Sequence, residues 1–106
     1  MTRQGDSIVL EKFIVRGDKG VLSTNCDVAS IRSLFRNQFE VSNKIVIDFK
    51  GIRSISPSFA YECFAHIYDE KNKLEKILEN LEVENDTLGF KNKVIKAIQR
   101  RIMVLS

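Results

Sequence analysis

The sequence has no long apolar run, little proline and little glycine. No uninterrupted apolar run exceeds four residues, whereas a membrane-spanning helix needs about 20. One proline and five glycines stand against 43% hydrophobic residues, which excludes a collagen-like or a disordered chain. The first residues also lack the apolar core of a signal peptide, so we expect a cytoplasmic protein without a membrane segment.

Cysteine and histidine are equally scarce. Cys26 and Cys63 lie far apart, and we expect two buried free thiols rather than a disulfide. His66 is the single histidine, and its neighbour Glu62, four residues earlier, could hydrogen-bond it on a helix surface. With so few ligands and no phosphate-binding glycine loop, we expect no metal, no cofactor and no catalytic residues.

The 106 residues are enough for one domain, which we place over residues 1–106. Strand and helix patterns alternate along the chain, and this predicts an α/β fold with helices packed on a small sheet. Strands are predicted at residues 8–15 (as one strand or two), 21–22, 44–49 and 81–83. The strand at 44–49 has a continuous apolar centre, which is typical of a central strand.

Helices are predicted from about 27 to 39, from 57 through the sixties, and from about 90 to 103. Helical spacing resumes around 74–81, either as a separate short helix or as a continuation of the helix that starts at Pro57. The first should begin after a cap within residues 23–25 and bury one stripe, namely Val28, Ile31, Leu34, Phe35 and Phe39. The second has a strong start signal, with Ser56 as its cap and Pro57 at its first position. Its apolar stripe is Phe59, Ala60, Cys63, Phe64 and Ile67. Asp86 or Thr87 should cap the last helix.

The segment 45–62 runs from strand through a glycine turn into the Ser56-capped helix. Three hydroxyls, on Ser54, Ser56 and Ser58, cluster where the helix starts, a place that favours an anion or a phosphoserine. The simpler interpretation is that Ser56 caps the helix and Ser58 occupies its first turn. Asp48, at the end of the strand, is either a functional acid or a turn residue.

Charge is unevenly distributed along the last third of the chain. Residues 69–86 contain seven acids and three lysines, whereas residues 87–106 contain five bases and no acid. The bases are Lys91, Lys93, Lys96, Arg100 and Arg101. They form either a solvated helix face or a surface for an anionic partner such as nucleic acid.

The central segment resembles a known family. The residues concerned are Val46-Ile47-Asp48-Phe49, Gly51-Ile52, Ser54-Ile55-Ser56, Ser58-Phe59-Ala60 and Glu62. They are similar to the STAS domain of anti-sigma-factor antagonists and sulfate-transporter tails, and more closely to the bacterial STAS-like family of unknown function. The resemblance is strongest over residues 44–103.

This resemblance implies a single STAS-like α/β domain with a mixed sheet and with helices mainly on one face. It also implies a non-enzymatic regulatory module that docks on a partner protein, such as an ATPase of the histidine-kinase-like type. The implied docking or phosphorylation site is Ser56, Ser58, Phe59 and Glu62. Because Pro57 occupies the usual phospho-acceptor position, Ser58 is the nearest hydroxyl. The alternative is a nucleic-acid-associated protein that uses the five bases of the last helix.

Overall fold

The computed structural model describes residues 7–106, which contain five short strands and four α-helices. The strands are β1 (Ile8–Val9), β2 (Val21–Leu22), β3 (Ile45–Asp48), β4 (Ser54–Ile55) and β5 (Leu81–Glu84). The helices are α1 (Val28–Ser42), α2 (Pro57–Ala60), α3 (Lys71–Glu79) and α4 (Phe90–Leu105). A 3-10 helix spans Leu10–Phe13, and a π-helical segment, Tyr61–Ala65, continues α2 without a break.

The strands form two small parallel sheets. One has the order β1-β3-β5 and the other pairs β2 with β4. The predicted α/β class is confirmed, and β3 is the central strand that the apolar run at 44–49 indicated. We expected a mixed sheet, yet every strand pair in residues 7–106 is parallel. Each paired strand is reached through a long connection that contains a helix, as parallel pairing requires.

The register of β3 shows which face of the larger sheet carries the core. Ile47 pairs with Ile8 on one side and with Val83 on the other; Ile47 belongs to the core, and the two partners are partly buried and pack against it. On the opposite face Val46 pairs with Glu82, which is exposed. Because side chains alternate along a strand, Ile47 and its partners face the core, whereas Val46, which is only 5% exposed, shares the other face with Glu82. The larger sheet therefore has one apolar face and one mixed face.

The first strand is shorter than predicted. Residues 8–15 do not form one or two strands, because pairing stops after Val9 and the chain turns into the 3-10 helix. Val9 pairs with Asp48, the last residue of β3. Beyond that point the chain has no neighbouring strand to bond to, so β propensity cannot extend β1.

Helix α1 differs from its prediction at both ends. Its cap is Asp27 rather than a residue within 23–25, since the Ser30 amide donates to Asp27 Oδ1 at 3.2 Å and the Ser30 hydroxyl to Oδ2 at 2.7 Å. These hydrogen bonds from Ser30 hold the pKa of the Asp27 carboxyl below its ordinary value. The helix ends at Asn43, in the left-handed region with φ 59°. Leu34, expected in the buried stripe, is 38% exposed.

The helix that starts at Pro57 forms the centre of the core. Its predicted stripe is buried throughout, and so are both free thiols of Cys26 and Cys63. Burial raises the pKa of the Cys63 thiol, so this sulfur stays protonated. Phe64 packs against Phe35 of α1 with ring centroids 5.4 Å apart. This packing fixes the inner side of the helix and leaves its outer side for the surface described next.

Candidate functional site

The start of α2 is held by a cap and by the neighbouring strand β2. The Phe59 amide donates to Ser56 Oγ at 3.1 Å, and the Ser56 amide donates to the Leu22 carbonyl at 2.8 Å. Pro57 occupies the first helical turn, as predicted. The position of this turn is therefore set by backbone hydrogen bonds and by one side-chain cap, which makes it a rigid part of the surface.

The four residues predicted for partner binding do not all face solvent. Ser58 and Glu62 are exposed and Ser56 is half-buried. The Ser58 hydroxyl makes no hydrogen bond to any residue in 7–106. Phe59 is 0% exposed and packs edge-on against Phe64, with centroids 5.9 Å apart. The prediction that Phe59 contacts a partner is wrong, because its helical position points its ring into the core.

A groove runs between the start of α2 and helix α4, and we call it the α2–α4 groove. Its deeper part has a volume of about 200 Å³ and is lined by Ile55, Pro57, Ala60, Tyr61, Lys93, Lys96, Ala97 and Arg100. A shallower part of about 230 Å³ adjoins it at Pro57, Ser58, Tyr61, Glu62 and Arg100. The predicted docking turn and part of the predicted basic surface thus line a single depression.

Tyr61 and Arg100 form the wall that the two parts of the groove share. The Arg100 guanidinium lies over the Tyr61 ring, with the guanidinium carbon 5.2 Å from the ring centroid. The His66 ring meets the same tyrosine edge-on, at 5.1 Å between centroids. Cation–π contact of this kind holds both side chains in place. Sequence reasoning missed Tyr61, although its position four residues after Pro57 puts both on one side of the helix.

The five bases of α4 do not share a face. Lys93, Lys96 and Arg100 lie three and four residues apart and line the groove. Arg101 is only 18% exposed in its side chain and donates from Nη2 to Asp69 Oδ1 at 3.0 Å. Lys91 is two residues from Lys93, which turns it toward the opposite side of the helix. The predicted basic surface is therefore reduced to three cations.

Two arginines of α1 support the π-helical segment behind the groove. Arg32 Nη1 donates to the Glu62 carbonyl at 2.7 Å, and Arg36 Nε donates to the Ile67 carbonyl at 2.8 Å. The Glu62 carbonyl lies inside this segment and the Ile67 carbonyl two residues beyond it, near a helix end where carbonyls lack helical partners. Because the bonded oxygen belongs to Glu62, α1 also fixes one end of the shallow part of the groove.

The remaining polar candidates have structural partners. Asp48 accepts from the Lys50 amide at 2.9 Å and from Asn85 Nδ2 at 2.7 Å, which confirms its interpretation as a turn residue. His66 Nδ1 lies 3.9 Å from Asp69 Oδ1 rather than beside Glu62. The N-cap position of α4 is Gly89, not Asp86 or Thr87 as predicted, but the Asp86 carboxylate serves the helix start by accepting from the Phe90 amide at 2.6 Å and the Lys91 amide at 3.1 Å.

Comparisons with known proteins agree with the fold. The sequence profile of a family described as a STAS-like domain of unknown function matches residues 32–88, more than half of the chain. That stretch extends from α1 through β5 and includes the α2 side of the groove but not α4. No curated protein and no solved structure matches the chain. Within residues 7–106, no helix has both the length and the apolar character needed to cross a membrane.

Proposed function

Since the chain belongs to the family of STAS-like domains of unknown function, we propose that it is a non-enzymatic regulatory module that docks on a partner protein. The docking surface in this proposal is the exposed side of the turn that starts α2, with Ser56, Ser58 and Glu62. A partner of the ATPase or kinase class, resembling histidine kinases, is the one that the similarity to anti-sigma-factor antagonists suggests.

The single observation that carries the proposal is that the hydroxyl of Ser56 is used by the fold, whereas that of Ser58 is not. Ser56 Oγ is used by the Phe59 amide, so it serves the fold. Ser58 is exposed, its hydroxyl forms no hydrogen bond to any residue in 7–106, and it adjoins the α2–α4 groove. A polar group held on a rigid turn beside a groove loses little conformational entropy on binding, and this favours recognition.

The backbone around this surface supports the same function. The inner side of the turn is anchored by buried side chains such as Phe59 and Phe64. Its far end is anchored by the Arg32 hydrogen bond to the Glu62 carbonyl. A surface fixed at both ends presents its outward side chains in one arrangement, as preformed protein interfaces do.

The test begins with capture of the partner from the native host, followed by titration of the purified partner against three forms of the protein. These are the wild type, Ser58→Asp and Ser33→Asp, where Ser33 is an exposed serine of α1 that serves as the matched control. We expect Ser58→Asp to weaken binding by about tenfold, which is 1.4 kcal/mol. Ser33→Asp should leave the affinity unchanged. Equal affinity of all three forms would reject this turn as the docking surface.

The alternative function, association with nucleic acid through α4, has weaker support. The structure leaves three cations on one face, Lys93, Lys96 and Arg100, and the ring of Tyr61 is covered by Arg100. We therefore expect only non-specific binding, with dissociation constants of about 10⁻⁴ to 10⁻⁶ M. A salt-sensitive nanomolar complex with an oligonucleotide, lost on reversal of these three charges, would establish the alternative instead.

A further inference from the structure

We infer that the α2–α4 groove binds an acidic peptide segment of the partner and seats one large apolar side chain of that segment. The inference rests on the proposed docking function and specifies the chemistry of the partner. It comes from the groove itself, where cationic side chains border a mainly apolar floor. Three features support it, namely the charge of the groove's rim, the volume of the groove's deeper part and the contacts of the Tyr61 ring.

The rim of the groove is positively charged and its cations are available. Lys93, Lys96 and Arg100 are exposed, and none of them forms an ion pair with a residue in 7–106. Glu62, at the shallow end, is the one acidic side chain that lines either part. Such a rim attracts acidic groups and repels basic ones, which provides specificity and speeds association.

The floor of the deeper part is apolar and small. Ile55, Pro57, Ala60 and Ala97 contribute to a volume of about 200 Å³. Sites for cofactors and drug-sized ligands usually measure about 300–1,000 Å³, so the deeper part by itself is undersized for them. A dry cavity of about 150 Å³ holds one benzene ring. The deeper part therefore matches one aromatic or branched side chain, the kind of anchor on which protein interfaces depend.

The contacts of the Tyr61 ring favour a protein partner over a nucleic acid. Proteins that bind single strands stack bases on exposed aromatic rings, and Tyr61 is the aromatic residue of the groove. One face of its ring is occupied by the Arg100 guanidinium and its surroundings include the His66 ring, edge-on. The ring is thus engaged within the protein by Arg100, while the charges of Lys93 and Lys96 and the apolar floor remain free for a peptide.

The experiment is a display selection of random short peptides on the full-length protein, followed by fluorescence anisotropy with the selected synthetic peptides. We expect enriched peptides to be rich in Asp and Glu and to share one large apolar residue. Lys96→Glu should weaken their binding by about tenfold or more. Lys91→Glu is the matched control, since it makes the same charge change on the same helix outside the groove. It should change affinity by less than about twofold, and replacing the peptide's apolar residue by serine should abolish binding.

Several results would overturn the inference. They are a failure to enrich any peptide, enrichment of neutral or basic peptides, equal losses for Lys91→Glu and Lys96→Glu, and tighter binding of an oligothymidine than of any selected peptide. Titrations with the purified partner distinguish failure of this inference from failure of the proposed function. If its affinity falls with Ser58→Asp but not with Lys96→Glu, docking stands and the acidic-segment inference is rejected. If neither variant affects it, both are rejected.

Discussion

Two serines of one turn show how similar residues acquire different roles. Ser56 lies before the first helical residue, in extended conformation, and its hydroxyl accepts the Phe59 amide. Ser58 lies within the helix and faces solvent. The sequence predicted the cap correctly, because the order Ser-Pro at a helix start is a local signal. It did not distinguish exposed Ser58 from buried Phe59 as partner contacts.

The stability of the fold should respond to Ser56 and not to Ser58. Ser56→Ala removes the acceptor of the Phe59 amide and should lower the free energy of unfolding by about 1 kcal/mol. Ser58→Asp alters an exposed side chain and should stay within about ±0.5 kcal/mol. Urea unfolding of both variants beside the wild type checks this. A loss for Ser58→Asp as large as that for Ser56→Ala would contradict the assignment.

Tyr68 carries a pH dependence that ultraviolet titration can follow. Burial raises the pKa of its phenol to about 12, and a hydrogen bond from its hydroxyl to Glu40 Oε2 at 2.9 Å acts in the same direction. The folded state therefore holds this proton up to higher pH than the unfolded chain, where the phenol has its ordinary pKa of about 10. The corresponding stability is complete below pH 10 and is lost as the pH rises toward 12.

Two tyrosine variants test this assignment. Tyr61→Phe leaves Tyr68 as the single phenol, since the chain has two tyrosines, and its ultraviolet titration should have a midpoint at about 12. Tyr68→Phe should flatten the decline of unfolding free energy between pH 10 and 12 relative to the wild type. A Tyr68 midpoint near 10, with the same decline in both proteins, would contradict it.

Among the secondary-structure elements, α2 and its π-helical continuation receive hydrogen bonds from helix α1. Arg32 and Arg36, which donate them, fall outside the apolar stripe of α1. In the structure they donate to carbonyls of the π-helical region, and the Arg36 guanidinium also lies 5.6 Å from the centroid of the Tyr68 ring. Such bonds join residues about 30 positions apart, which periodicity cannot reveal.

Loss of Arg36 should therefore destabilise the protein more than loss of an ordinary surface arginine. Arg36→Met keeps the length of the side chain but leaves the Ile67 carbonyl without its partner, and should lower the unfolding free energy by about 1.5–3 kcal/mol. Arg16→Met is the control, because Arg16 is exposed, and its effect should lie within about ±0.5 kcal/mol. Chemical denaturation of both measures the difference, and similar values for the two would refute the role of Arg36.

The sequence predicts the features that depend on local residue patterns. It does not predict those that depend on contacts with distant parts of the chain. The span of β3 and the cap at Ser56 follow from short patterns. The length of β1 does not, because it depends on where β3 ends. Leu34 kept the helical spacing of a buried residue, yet no neighbour covers it fully, and only the assembled structure shows that.

On the scale of the whole molecule, one core supports both sheets and all the helices. Ile47, in the middle of β3, is 0% exposed and belongs to that core. Ile47→Asp should unfold or aggregate the protein, because an unpaired buried carboxylate costs several kcal/mol against a total stability of about 5–15 kcal/mol. Leu88→Asp makes a similar change at an exposed site and should leave the melting temperature nearly unchanged. A soluble Ile47→Asp protein that melts like the wild type would show that β3 is misplaced.

The candidate site is also a property of the whole molecule. Pro57 and Tyr61 precede Lys96 and Arg100 by more than 30 positions, and the fold brings them to one groove. The sequence therefore indicated two competing surfaces, a docking turn and a basic helix. In the structure, one side of the docking turn and one side of the basic helix line the same groove, whereas Phe59, Lys91 and Arg101 lie outside it. No local sequence pattern predicts this arrangement.

Hydrogen–deuterium exchange of the partner complex tests the central claim most directly. If the partner docks across the start of α2 and the facing side of α4, its binding should slow exchange in peptides covering residues 56–62 and 93–100. Exchange in β1 and β5, which do not line the groove, should not change. Protection confined to β1 and β5, with residues 56–62 and 93–100 exchanging as in the free protein, would contradict the account.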